Sequence, residues 1–146
     1  MNESAAVGQF VSALRTNNDL VAKTLHRSGD IRISTSLPEQ QEKVPSLYVV
    51  CEHTESLTKE NTPIYESTFE ICCAGKTRLQ ASQIADSFCS IIVPTDSRTF
   101  FSFTGLGVVS KETRLVARHA VEYDKKGDKY DCLVHCLVVW YEGSCP

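Results

Sequence analysis

The chain has no excess of positive charge, no long apolar run and no glycine pattern for holding phosphates. Each absence removes a class of function. Its 15 Lys and Arg stand against 18 Asp and Glu, a net charge of −3, so no overall basic field draws it to nucleic acid. The longest apolar run, Cys132 to Tyr141, contains His135 and is far shorter than the ~20 residues a membrane-spanning helix requires. MNESAAVGQF has no basic segment leading into an apolar core, so it does not read as a secretory signal, and a soluble intracellular chain is expected. Four histidines, His26, His53, His119 and His135, fall in separate segments, and none lies in a catalytic motif.

What is present is ordinary for a globular protein. Apolar residues make up 42% and charged residues 23% of 146 residues, which suits one domain spanning the chain with a real core. Cysteine is the exception, with seven copies. An odd count without an export signal fits reduced thiols. Cys132, His135 and Cys136 suggest zinc, but on a strand the two sulfurs stand roughly 13 Å apart and His135 faces the other way. Cys72 and Cys73 are adjacent and point to opposite faces. The cysteines read as small buried hydrophobes, and the chain is expected to bind no zinc and no other metal.

The stretch Tyr65 to Val93 organises the rest. Tyr65, Ser67, Phe69, Ile71 and Cys73 alternate with Glu66, Thr68 and Glu70, the two-residue period of a strand with one buried face. From Cys72 to Ala74 both faces are apolar, so this end lies deeper. Gly75 breaks the run and Thr77 is placed to cap a helix. Ala81, Ile84, Ala85, Phe88 and Ile92 then repeat at three-and-four spacing, giving a helix that must cover a sheet, with Pro94 closing it. Gly75-Lys76-Thr77 at this junction imitates the end of a phosphate-binding loop. The full pattern needs a glycine five positions earlier, where Glu70 stands, so no bound nucleotide is expected.

In chain order, Val7, Phe10, Val11 and Leu14 form an apolar helical stripe. Asp19 is a candidate cap for a second short turn carrying Leu20, Val21 and Leu25. Ile31–Ser34 reads as a short edge strand, Pro38–Pro45 as a polar loop, and Leu47–Cys51 as a central strand. Glu52–Thr62 reads as a long polar loop before the strand at Tyr65, either functional or a solvated hairpin tip. Phe100, Phe101 and Phe103 cluster near Gly105 and Gly107 in an irregular stretch and read as core. Leu115–Tyr123 and Tyr130–Glu142 read as a terminal hairpin. Leu115, Ala117, His119, Val121 and Tyr123 share one side, and Gly127 is placed for a positive φ. The outline is α+β: an antiparallel or mixed sheet of about four to five strands carrying an N-terminal and a central helix.

Catalysis finds little support. Cys51 and His53 would share a strand face yet stand about 7 Å apart, too far for direct proton transfer. The alternative reading, a small cytosolic enzyme or ligand-binding domain, would bring Cys51, His53 and the Gly75-Lys76-Thr77 turn to one pocket.

An amphipathic first helix is followed by Val44-Pro45 leading into Leu47–Val50. A strand with Phe69-Glu70-Ile71 then runs into a helix with Ala81, Ile84, Ala85 and Asp86, and a closing hairpin turns at Asp124–Lys129. This order resembles the tail-completion or tail-terminator proteins of tailed bacteriophages over nearly the whole chain, from Phe10 to Tyr141. The loop Glu52–Thr62, the segment Thr99–Phe103 and the many cysteines have no counterpart in that pattern. The resemblance implies a subunit with no catalytic centre and no cofactor, assembled as a hexameric ring that ends tail-tube growth. Its partners would be copies of itself, the tail tube, the sheath of a contractile tail, and a neck or connector protein, with DNA passing the lumen unbound and no membrane involved. It would be built in the host bacterial cytoplasm and reside in the virion. A mildly acidic subunit suits a lumen through which DNA slides. On this reading the loop acids Glu52, Glu55 and Glu60, with Leu57 and Lys59, would meet Arg114, Arg118 or Lys125 of a neighbour.

Overall fold

The computed structural model describes residues 2–35, 44–57, 63–93 and 101–143. In chain order the elements are α1 (Glu3–Leu14), α2 (Asn18–Thr24), β1 (Ile33–Ser34), β2 (Ser46–Ser56), β3 (Ile64–Gly75), α3 (Arg78–Ile92), β4 (Thr104–Gly105), β5 (Val108–Arg118), β6 (Glu122–Asp124) and β7 (Lys129–Glu142). The strands make one mixed sheet in the order β1-β2-β3-β7-β5-β4, with β6 paired to the start of β7. The class is the expected α+β, but among the described residues the sheet has seven strands, not four to five. The two beyond five are β4, too brief to show a period in the sequence, and β6, because the strand expected over Leu115–Tyr123 is broken into the end of β5 and β6; β5 itself starts earlier than expected, at Val108.

The helices follow from their apolar spacing and caps. Val7, Phe10, Val11 and Leu14 are the buried side of α1. In α2 the cap is Asn17, whose side chain accepts from the Leu20 N–H at 3.0 Å. The expected cap, Asp19, lies inside the helix. There it pairs with Lys23 at 2.8 Å and accepts from the Ser87 hydroxyl at 2.6 Å, tying α2 to α3. Thr77 caps α3 as its sequence suggests, accepting from the Gln80 N–H at 3.1 Å. Ala81, Ile84, Ala85, Phe88 and Ile92 are its buried face. Pro94 lies outside the described residues.

Gly75 has a packing role at the strand–helix junction. A Cβ there would stand 2.5 Å from the Ala81 backbone nitrogen, so β3 enters α3 closely only because this side chain is absent. Gly75→Ala is expected to lower stability by about 1–3 kcal/mol in chemical denaturation, since backbone must move to make room. An unchanged midpoint would contradict the close approach.

Two strands run differently from expectation. Residues 52–56 are not loop: β2 continues through them, paired rung by rung with β3 as far as Ser56 opposite Tyr65. Their polarity, which suggested a loop, reflects a strand leaving the core and not the end of pairing. A bulge between Cys51 and His53 also reverses the alternation, so Cys51 sits opposite Phe69 on the helix side and His53 opposite Thr68 on the other. Likewise a bulge between Leu115 and Ala117 puts Leu115 beside Cys136 and Ala117 beside His135, on opposite faces of β5. The chain then leaves the ladder before β6. In the β6–β7 turn the left-handed residue is Asp128 (φ 48°), not Gly127. Asp128 accepts from the Tyr123 hydroxyl at 2.6 Å. Of the loop expected over Pro38–Pro45, residues 38–43 lie outside the described residues.

The helices lie on one side of the sheet over a single cluster. Phe10 packs edge-on to Phe69, Phe101 and Phe103 at 5.0–6.0 Å between ring centres. The phenylalanines are core, as expected, although Phe100 is outside the described residues. Trp140 is fully buried and donates its indole N–H to Ser67 at 2.8 Å, and Ser67 in turn meets Thr54 at 2.7 Å. Ser67→Ala leaves that indole unpaired in a dry site, and a loss of about 1–3 kcal/mol is expected in the same assay.

Candidate functional site

The alternation along β7 divides the sheet. Cys132, Val134, Cys136, Val138 and Trp140 are buried beneath the helices. Leu133, His135, Leu137 and Val139 between them are half-buried and face the other way. Among the described residues no helix packs on that second face, because the core cluster draws only on the first. Register places Glu70, Thr68 and Glu66 of β3 beside His135, Leu137 and Val139, and Glu112 and Arg114 of β5 beside Val139 and Leu137. On β2, Val50 lies opposite Glu70 and Glu55 opposite Glu66. Like charges directly across a ladder are destabilising. The bare face is therefore a half-apolar surface carrying Glu52, Glu55, Glu66, Glu70 and Glu112, an arrangement that folding alone does not favour.

The two long borders of this face are open. β1 pairs only with Leu47 and Tyr48, leaving Val49–Glu55 without a second strand among the described residues. β4 pairs only with Val108 and Val109, leaving Lys111–Arg118 in the same condition. Both borders carry bulges and charges, the features that stop an edge from pairing with any passing strand. Between β4 and β5 a two-residue turn puts Leu106 (φ 51°) and Gly107 (φ 80°) in left-handed conformations. Leu106 is 75% exposed at that tip.

The residues singled out in the sequence are dispersed by this geometry. Glu52 sits in the β2 bulge, its carboxylate 2.7 Å from His135 Nδ1. Glu55 is exposed on the open face and Leu57 is half-exposed where β2 ends. Lys59, Glu60 and Thr62 lie outside the described residues. Arg114 faces the open side and pairs with Glu112 at 3.1 Å. Arg118 does not: it turns to the helix side, where it binds Asp86 and Ser82 of α3. Lys125 is exposed in the β6–β7 turn.

The catalytic alternative is not assembled. Cys51 and His53 lie on opposite faces, and the Lys76 turn lies at the far end of β2, where Ser46 pairs with Ala74. The thiols are weak nucleophiles. Burial pushes Cys51, Cys89 and Cys132 above the ordinary thiol range, Cys73 well above it, and Cys72 and Cys136 to about 12. Alkylation of the native protein near pH 8, mapped by peptide mass, is therefore expected to be far slower at these cysteines than in the unfolded chain. Fast labelling of Cys51 would contradict this.

Cys132 and Cys136 share the helix side and His135 lies opposite, so those three form no ligand set. A different set is present. One ligand atom each of Glu52, Glu70 and His135 lies within 4.8 Å of the others. Nothing in the linear spacing of positions 52, 70 and 135 signals it.

No family model matches the chain, and no curated protein sequence matches it. A solved structure does: a chain in the virion of a native gene transfer agent particle is similar at a TM-score of 0.63 and 13% identity, covering 98% of this chain and 100% of that one. At this identity the likeness shows a shared fold over the whole length. No helix among the described residues is long and apolar enough to cross a membrane.

Proposed function

We propose that the chain is a structural, non-catalytic subunit of a phage-like virion. It forms a closed ring, of six copies as the resemblance implies, at the head-proximal end of the tail, where it ends tube growth and receives the neck. The observation that supports this most is the bare acidic face lying between two open, bulged edges. An edge at β2 and an edge at β5 are different surfaces, so joining one to the other between copies is a head-to-tail contact. Such contacts close into a ring when the rotation fits. The uncovered face then turns inward, and Glu55, Glu66 and Glu112 repel the phosphates of passing DNA. The solved neighbour, which belongs to a virion, supports the same setting.

On this reading the tail tube, the sheath of a contractile tail and the neck meet the two rims of the ring. The β4–β5 tip with Leu106 and the end of β2 with Leu57 present apolar side chains for such contacts. Particles assembled without this chain are expected to show overlong tubes and unjoined heads by electron microscopy. Tubes of normal length on joined heads would overturn the proposal.

A further inference from the structure

We propose that Glu52, Glu70 and His135 form a binding site for one divalent transition-metal ion on the open face of the sheet. Glu70 lies directly opposite His135 in the β3–β7 ladder, so the two side chains stand together. Glu52 arrives from β2, two strands from His135, because the bulge there re-aims it across β3. Its carboxylate reaches His135 Nδ1 at 2.7 Å, and the three donor atoms lie within 4.8 Å of one another. Ligands on a tetrahedral ion at about 2.0–2.2 Å stand roughly 3.5 Å apart. Closing the remaining gap takes a small rotation of two glutamate side chains.

The chemistry of the set selects the ion. Two carboxylates neutralise a doubly charged cation, and they otherwise crowd together on a half-buried surface. An imidazole ligand favours zinc, cobalt or nickel over magnesium and calcium, which prefer oxygen alone. Three ligands on strands leave a fourth position for water. The site stands apart from the ring proposal and holds for one isolated copy.

The test uses untagged, metal-free protein titrated with Co2+ and Zn2+. One ion per chain is expected at micromolar concentration, with a cobalt spectrum lacking the thiolate charge-transfer band. The Zn2+ titration should shift the ring nitrogens of His135 in 15N spectra. The near-isosteric Glu70→Gln and Glu52→Gln should each weaken binding at least tenfold, and His135→Ala should abolish it, with the fold checked by circular dichroism. No binding at millimolar metal would overturn the proposal, as would a thiolate signature or affinity unchanged in Glu70→Gln. In the first case the three residues are only an ion pair with a neighbouring acid.

Discussion

Phe88→Ala is expected to destabilise the protein by about 3–5 kcal/mol in chemical denaturation. Phe88 is fully buried on α3 and touches Phe10 at 6.3 Å between ring centres, while Phe10 packs on Phe69 of the sheet at 5.0 Å. Truncation removes the ring that joins both helices to β3 and leaves a cavity that three elements cannot all collapse to fill. Ile84 lies one turn away, is equally buried, and anchors the same face. A loss below about 1 kcal/mol would contradict this packing.

The second large effect is on assembly. Glu55→Arg is expected to give a folded subunit that no longer forms rings, and adding Arg114→Glu is expected to restore them. Glu55 is exposed near the β2 edge and Arg114 near the β5 edge, on the same face of the sheet. One exposed pair contributes only about 0–1 kcal/mol. Reversing its sign turns that attraction into repulsion at every interface of a closed ring, so the effect multiplies with copy number. Rings formed normally by Glu55→Arg would remove this contact from the proposal. Of the segment Glu52–Thr62, residues 52–56 are strand and not the loop its composition suggests. Replacing it with a Gly-Ser linker would delete the last rungs of the β2–β3 ladder, so point substitutions are the sound probe.

Much of the fold was legible because it rests on local periodicity. The β3–α3 stretch, the Thr77 cap and the buried faces of α1 and α3 all follow from spacing within one element. Features that escaped depend on pairing. The bulges at Glu52 and Val116 each insert one residue, and each turns the following side chains to the other face, which no count along the chain reveals. Even spacing alone puts Cys51 with His53 and Leu115 with Ala117, and the bulges part both pairs. Arg118 looked like a free surface cation because its partner, Asp86, lies 32 residues away on α3. The candidate site was legible only in part. Glu52, Glu55 and Arg114 drew notice as charges, whereas Glu66, Glu70, Glu112 and His135 join them only through strand order.

Closed assembly is the centre of this account, and the mass of the purified, untagged chain in solution tests it most directly. Light scattering after size exclusion, at increasing protein concentration, is expected to approach six times the 16.2 kDa of one copy, with annular particles by electron microscopy. A single-copy mass persisting at high concentration, or a dimer joined by identical surfaces, would contradict it.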